Sequence, residues 1–314
     1  MDIRKIIKFG NSSYVVSLPK RWMEKNRLNK GGIVYVSENG NNELILSPDD
    51  KSAVPEEKEL VINTNSKDLA RIKREIFSAY LNNFTMIKIV GSNLKENSKK
   101  IREMIQQLMA LEIMEQTSDK LITKDFLNMN EILISELVKK MDIVAKAIIS
   151  DLKFSLDENN AENIAERDQN INKFYFVIIR AIRRELEYPG SIKKENANLL
   201  KLFDAWHVAH QIESIADEVK WAAELMSKTR VTPKEKQEVN EIISEIEGFY
   251  DKTMKMYYKN DKDFSYTISD TKNGIIDGSR KMYEAKHTPG LARICSYLES
   301  MTHKTHEILR RVYS

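Results

Sequence analysis

The chain is poor in the residues that staple or break a polypeptide. Only one of its 314 residues is a cysteine, Cys295. No intramolecular disulfide can form, which fits a reducing compartment. Ten glycines and six prolines are few for this length and fit a mostly helical protein with short connections. No apolar run approaches the ~20 residues needed to span a bilayer. The N-terminus alternates and lacks the apolar core of a signal peptide. We therefore expect a cytoplasmic protein with no membrane insertion. Residues 59–127 hold no phosphate-cradling glycine-rich loop, since Gly91-Ser92-Asn93 alone is too weak a signal. Helix-turn-helix and zinc-finger spacings are missing too. No nucleophile-and-base pairing stands out: Cys295 has no near histidine in sequence, although His287 or His303 can approach in space. The expectation is a protein that is not an enzyme, with a metal-assisted hydrolase on carboxylates as the enzymatic alternative.

Present in quantity are apolar residues (41%) and charged ones (31%), with a net charge of only +3. The charge is unevenly placed. Residues 1–30 hold Arg4, Lys5, Lys8, Lys20, Arg21, Lys25, Arg27 and Lys30 against Asp2 and Glu24, a local +6. Such a cluster suits a phosphate backbone, or else solubilises a surface.

The length implies two or three domains. Residues 1–47 read as short strands. RKIIKFGNSSYVVSLP is two extended runs split by Gly10-Asn11-Ser12, and Pro19 can open a short helix over KRWMEKN. VYVSENGNNELIL reads as a hairpin around Asn39-Gly40. So small a unit buries little surface alone, so it should dimerise or lean on a neighbour. Residues 48–58 are a polar linker with two prolines. Residues 59–127 follow the order βαβαββ, a small α/β domain with its last hairpin turning at Ser118-Asp119. From Met129 the periodicity is helical, with segments at 129–157, 161–187, 195–228, 233–258, 262–286 and 290–314. Asp157–Asn160, Pro189-Gly190, Thr232-Pro233, Asn260-Asp261 and Pro289-Gly290 punctuate them. Two groups of three helices, 129–228 and 233–314, would form a pair of three-helix bundles. The fold class is thus multidomain and mainly α, with a β head and a small α/β middle.

One phrase occurs twice: QIESIADEVK at 211–220 and YLESMTHKTH at 297–306. The copies lie 86 residues apart, each on the third helix of its trio, and duplication explains them economically. Residues four apart share a helix face, so Glu213 sits with Asp217, and Glu299 with His303. Carboxylates are hard oxygen ligands, and histidine suits borderline metals. Each pair is half of a candidate metal site for Fe, Zn, Mn or Mg. Asp168, with Glu166 and Asn172, can complete the first, and Asp270 and Asp277 the second. His207 and His210 extend the first stripe and His306 the second. Solvated helix faces carry the same spacings without any metal. Trp206 and Trp221 read as core, and Trp22 as packing for the short helix.

Residues 129–314 resemble the PhoU family of phosphate-uptake regulators, which has two three-helix repeats. The resemblance is carried by Ile212-Glu213-Ser214-Ile215-Ala216-Asp217 and Leu298-Glu299-Ser300-Met301-Thr302-His303, beside that family's repeated acidic metal phrase. Ser replaces its Arg in both copies, and the second copy lacks its Asp. Residues 3–47 resemble the AbrB/SpoVT swapped-hairpin domain through IRKIIKFGNSSYVVSLPKRW, Gly31-Gly32 and Asn39-Gly40. That resemblance implies an intertwined homodimer whose DNA-binding face includes Arg4, Lys8, Lys20 and Arg21. Asn11 and Ser12 in the loop can donate to phosphates or base edges. Together the two resemblances imply a DNA-binding regulator of phosphate uptake or metabolism with a sensing or docking tail. The alternative they imply is an adaptor on a phosphate transporter or signalling kinase.

Overall fold

The computed structural model describes residues 3–38, 44–48, 58–188, 198–284 and 290–313. The Asn39-Gly40 turn, most of the polar linker, Pro189-Gly190, His287 and Pro289 lie outside the described residues.

Strands β1 (Ile7–Phe9) and β2 (Ser13–Val15) pair antiparallel, with Ile7 opposite Val15 and Lys8 opposite Tyr14. Gly10 turns the chain at φ +70°, where a side chain would be strained. Pro19 precedes α1 (Lys20–Lys25), and β3 (Tyr35–Glu38) pairs antiparallel with β4 (Leu44–Ser47). Among the described residues the two hairpins form separate two-stranded sheets.

The middle unit runs β5 (Glu59–Asn63), α2 (Leu69–Leu81), β6 (Met86–Val90), α3 (Leu94–Gln106), β7 (Leu111–Gln116) and β8 (Lys120–Asp125). The sheet order is β5-β6-β8-β7, parallel at β5–β6 and antiparallel elsewhere. Asp68 starts α2 by accepting the Arg71 N–H at 2.6 Å. Strand alternation then sends Ile62, Ile87, Ile89 and Leu121 to one face, where Ile72 and Ile76 of α2 and Ile101 and Ile105 of α3 cover them.

The helices are α4 (Ile134–Asp151), α5 (Ala161–Glu187), α6 (Leu199–Met226), α7 (Pro233–Lys259), α8 (Lys262–Ser269), α9 (Thr271–Glu284) and α10 (Leu291–Tyr313). The first regular helix starts later than its periodicity predicts. Asn128 Oδ1 accepts the Asn130 N–H, which closes a 3-10 turn over Met129–Glu131, and Ile132 and Leu133 are extended. The segment expected at 262–286 is two helices, joined at Asp270. Ser265 and Thr267 in α8 donate to the carbonyls four residues back, at 2.6 and 3.2 Å, a competition that bends and weakens a helix. Thr232 and Glu235 form a reciprocal cap at the start of α7, and Asn260 ends it in the left-handed region.

The two trios do not have separate interiors. One apolar core runs through α4–α8, α9 and α10. Its centre is the packing of α6 on α10. Ala209 and Ala216 on α6 occupy the places that Cys295 and Thr302 take on α10, and all four are buried, so the axes can approach closely. Glu218 accepts hydrogen bonds from Lys304 Nζ at 2.6 Å and Ser300 Oγ at 2.8 Å. Residues 218 and 304 are equivalent by the 86-residue offset. The repeated phrase on α6 therefore meets the one on α10 at matching positions.

Arg180 fixes the middle unit to the helices. Its side chain is 1% exposed and pairs with Asp125 at the end of β8. Its Nε donates to Asn83 Oδ1 at 3.1 Å, Asn83 returns a bond to the Arg180 carbonyl, and the guanidinium lies 4.1 Å from the Tyr80 ring centre. Phe176 adds an edge-on contact with Phe77 at 5.5 Å.

Candidate functional site

The β head presents the first candidate surface. Arg4, Lys8, Asn11, Ser12, Lys20 and Arg21 are all exposed. Lys8 lies beside Tyr14 on one face of the β1–β2 hairpin, Asn11 and Ser12 form its turn, and Lys20 and Arg21 open α1. The opposite face carries Ile7, Phe9 and Val15, which remain 60%, 69% and 43% exposed. Ile33, Val36 and Leu44 of the second hairpin region are exposed as well. A lone two-stranded hairpin is marginal in water, and an apolar hairpin face left exposed in this way suits a contact surface.

The second candidate is the groove between α5 and α6. The helix spacing puts His210, Glu213, Asp217 and Lys220 along one side of α6, and Asp168, Asn172 and Tyr175 face it from α5. Lys220 Nζ donates to Asp168 Oδ2 at 2.7 Å and to Asp217 Oδ1. Asn172 Nδ2 adds a bond to Asp168 at 3.3 Å, while Asp168 Oδ1 is buried with no hydrogen-bond partner. Burial pushes the Asp168 carboxyl up, against the pull of Lys220. Burial also pushes Glu213 up to about 7, reinforced by the negative charges of Asp217 and Asp168 and opposed by Lys220. For Lys220 itself burial works against the charge, but the bonds to the two aspartates outweigh it and raise the ammonium's pKa. His210 stacks on both Tyr175 and Trp206, with ring centres 5.9 Å apart in each case, and its Nδ1 lies 3.8 Å from Glu213 Oε2.

The second copy is arranged differently. Glu299 accepts from Arg280 of α9 at 2.8 Å, and His303 Nε2 lies 3.6 Å from the same carboxylate. His306 holds the place equivalent to Lys220. It is buried, with Nε2 3.0 Å from Ser269 Oγ, and burial together with Lys272 lowers its pKa. Glu166 and Asp277 are exposed, and Asp270 sits at the α8–α9 junction. His207 leaves the α6 stripe. Burial first, and then Arg311 of α10, lower its pKa, and its Nε2 is buried without a partner. Trp206 and Trp221, read from sequence as core, are 37% and 44% exposed. Trp206 stacks on His210 and Trp221 lies 6.2 Å from the Tyr297 ring of α10, so each is packed on one side and wet on the other.

The structure thus brings Asp168, Glu213 and Asp217 together, and Glu299 with His303. Among the described residues no group of three or more His, Cys, Asp or Glu side chains is arranged to hold a metal ion. Sequence reasoning missed Lys220, although its spacing was readable as Glu213, Asp217, Lys220 at i, i+4, i+7. Arg180 gave no such signal, because its partners come from elements ~55 to ~100 residues away in the chain.

Comparison with known proteins adds one match. Residues 7–53 match the family described as "Antidote-toxin recognition MazE, bacterial antitoxin". This family is of the swapped-hairpin AbrB/SpoVT type, so the match supports an AbrB-like head and fits a DNA-binding regulator. No curated protein and no solved structure matches the chain at a significant level. Among the described residues no helix is long and apolar enough to cross a membrane.

Proposed function

We propose that the chain is a cytoplasmic, dimeric DNA-binding regulator of phosphate uptake or metabolism, and not an enzyme. The observation that carries the reading is the head: an exposed apolar hairpin face, with exposed Lys8 on the other face and exposed basic residues before β1 and at the start of α1. In this reading a second copy covers Ile7, Phe9 and Val15, and the pair presents two sets of Arg4, Lys8, Lys20 and Arg21 to one duplex. Lys and Arg supply salt-dependent affinity, and Asn11 and Ser12 reach phosphates or base edges. The helical tail supplies the cue. Phosphate enters through the resemblance of the repeated α6 and α10 phrase to phosphate-uptake regulators.

A gel-shift series in rising salt tests it on the full-length protein. Wild type should bind DNA with a steep loss of affinity as salt rises. The pair Lys8→Ala and Arg21→Ala should weaken binding and flatten the log–log slope by about 0.9 for each phosphate no longer neutralised. Unchanged affinity and slope would sink the assignment of the head.

A second reading has one observation in its favour. Leu199, Phe203 and Trp206 line the outer face of the first turns of α6 and are 70%, 47% and 37% exposed. That stripe suits docking on a phosphate transporter or kinase. Capture of such a partner, without salt-sensitive DNA binding, would favour the adaptor over the promoter binder.

A further inference from the structure

We propose that the free edge of β5 is an interface between two copies of this chain: the two β5 strands pair antiparallel about Val61, which doubles the four-stranded sheet of the middle unit, and Arg74 of each copy meets Glu75 of the other. This contact lies outside the head and stands apart from it.

The sheet has two edges, and they are built differently. β7 is blunted: its register shifts between Ile113 and Glu115, and Glu112, Glu115 and Gln116 are exposed along it. A bulge and charges of this kind keep other strands away. β5 has no bulge. Its five residues, Glu-Leu-Val-Ile-Asn, pair with β6 without a break, and its one charged residue, Glu59, is paired to Lys88 at 2.6 Å. Among the described residues no strand lies on its other side. The Thr64 N–H bonds to the Val90 carbonyl, toward β6. Alternation in a parallel pair then turns the N–H and C=O groups of Glu59, Val61 and Asn63 to the open edge.

A groove of about 590 Å3 runs beside this edge, between the middle of β5 and the α2 stripe Arg71, Arg74, Glu75 and Ser78. The chemistry around it is self-complementary, which is what a two-fold contact requires. With the axis at Val61, Leu60 lies opposite Ile62 and Glu59 opposite Asn63, so apolar meets apolar and a carboxylate meets an amide donor. Val61, 56% exposed, is the apolar centre of the pairing. The same axis passes α2 at the middle of its stripe, so Arg74 faces Glu75 of the second copy. Glu75 is held for this by Lys67 at 2.6 Å and Arg71 at 3.1 Å, while Arg74 is exposed and has no ion pair among the described residues. Charge complementarity therefore points to a second copy as the occupant.

The test uses the full-length protein, whose one cysteine, Cys295, is buried. Residues directly opposite in a hydrogen-bonded antiparallel pair have Cα atoms about 5.5 Å apart, within disulfide reach. Under mild oxidation Val61→Cys should form a crosslinked dimer at least about tenfold faster than Glu59→Cys or Asn63→Cys alone, while a mixture of those two should crosslink to each other. Arg74→Glu in the Val61→Cys background should slow crosslinking, and adding Glu75→Arg should restore it. Crosslinking reads β5 and the salt-dependent gel shift reads the head, so the failure of one assignment is distinct from the failure of the other. Equal rates at positions 59, 61 and 63, no crosslink at 61, or a rate indifferent to Arg74→Glu would overturn the proposal. An acidic strand from another protein is the alternative occupant, and it would leave purified Val61→Cys uncrosslinked.

Discussion

The Glu213 carboxyl is only 18% exposed, and its nearest charged neighbours on the groove are mostly of its own sign. Its ordinary pKa of 4.5 rises to about 7 in the fold. Between those values the folded protein keeps a proton that the unfolded chain has already released. Stability therefore falls as pH rises from 4.5 to 7, and this contribution is constant above that range. Glu213→Gln removes the liability. The variant should match wild type near pH 5 and exceed it by roughly 1–3 kcal/mol at pH 8, read by urea denaturation at both pH values. A pH-independent difference would show that the raised pKa is not a property of the groove. The sharing of a helix face by Glu213 and Asp217 was legible in sequence, because spacing fixes direction on a helix. That Asp168 sits opposite them as a buried acid, while Glu166 two residues earlier points to water, needed the α5–α6 packing.

Between elements, a buried side chain often decides more than a boundary does. Arg180 on α5 ties the helical region to the β8 end of the sheet through Asp125, Asn83 and the Tyr80 ring. Arg180→Met would leave Asp125 buried without its cation and should cost roughly 3–5 kcal/mol. The double variant with Asp125→Leu should recover much of the deficit in a thermal melt, since replacing a whole buried pair by apolar groups is often neutral. Equal destabilisation in single and double variants would mean that Arg180 acts by packing alone. The elements themselves were largely legible: the βαβαββ order, the cap at Thr232 and the turn beside Asp119 follow from local chemistry. The break at Asp270 was not, because side-chain bonds from Ser265 and Thr267 to their own backbone leave the apolar spacing intact.

For the whole molecule, both apolar cores draw on residues from Leu60 onward, and none of the described residues of the head contributes to either. Deleting residues 1–57 should leave melting of the remainder within a few degrees of the full chain, while DNA binding and head-mediated self-association disappear. Sedimentation and gel shift on that fragment check both halves of the statement. A fragment that unfolds, or still binds DNA as the full chain does, contradicts it. The punctuation of the helical half into two trios suggests two bundles. Their fusion into one core depends on small residues at equivalent places on α6 and α10, which no local pattern reports.

The sequence by itself determined the helical weight of the chain, the basic β head and the α/β order of the middle. These rest on composition, period and spacing, which act over a turn or a strand. Only the tertiary structure decided that equivalent positions 218 and 304 meet, that Arg180 joins sheet to helix, and that Lys220 lies between two aspartates. Each is a charge taken out of water. Its energy depends on partners brought from far along the chain by apolar packing, and no neighbouring residue in sequence records them.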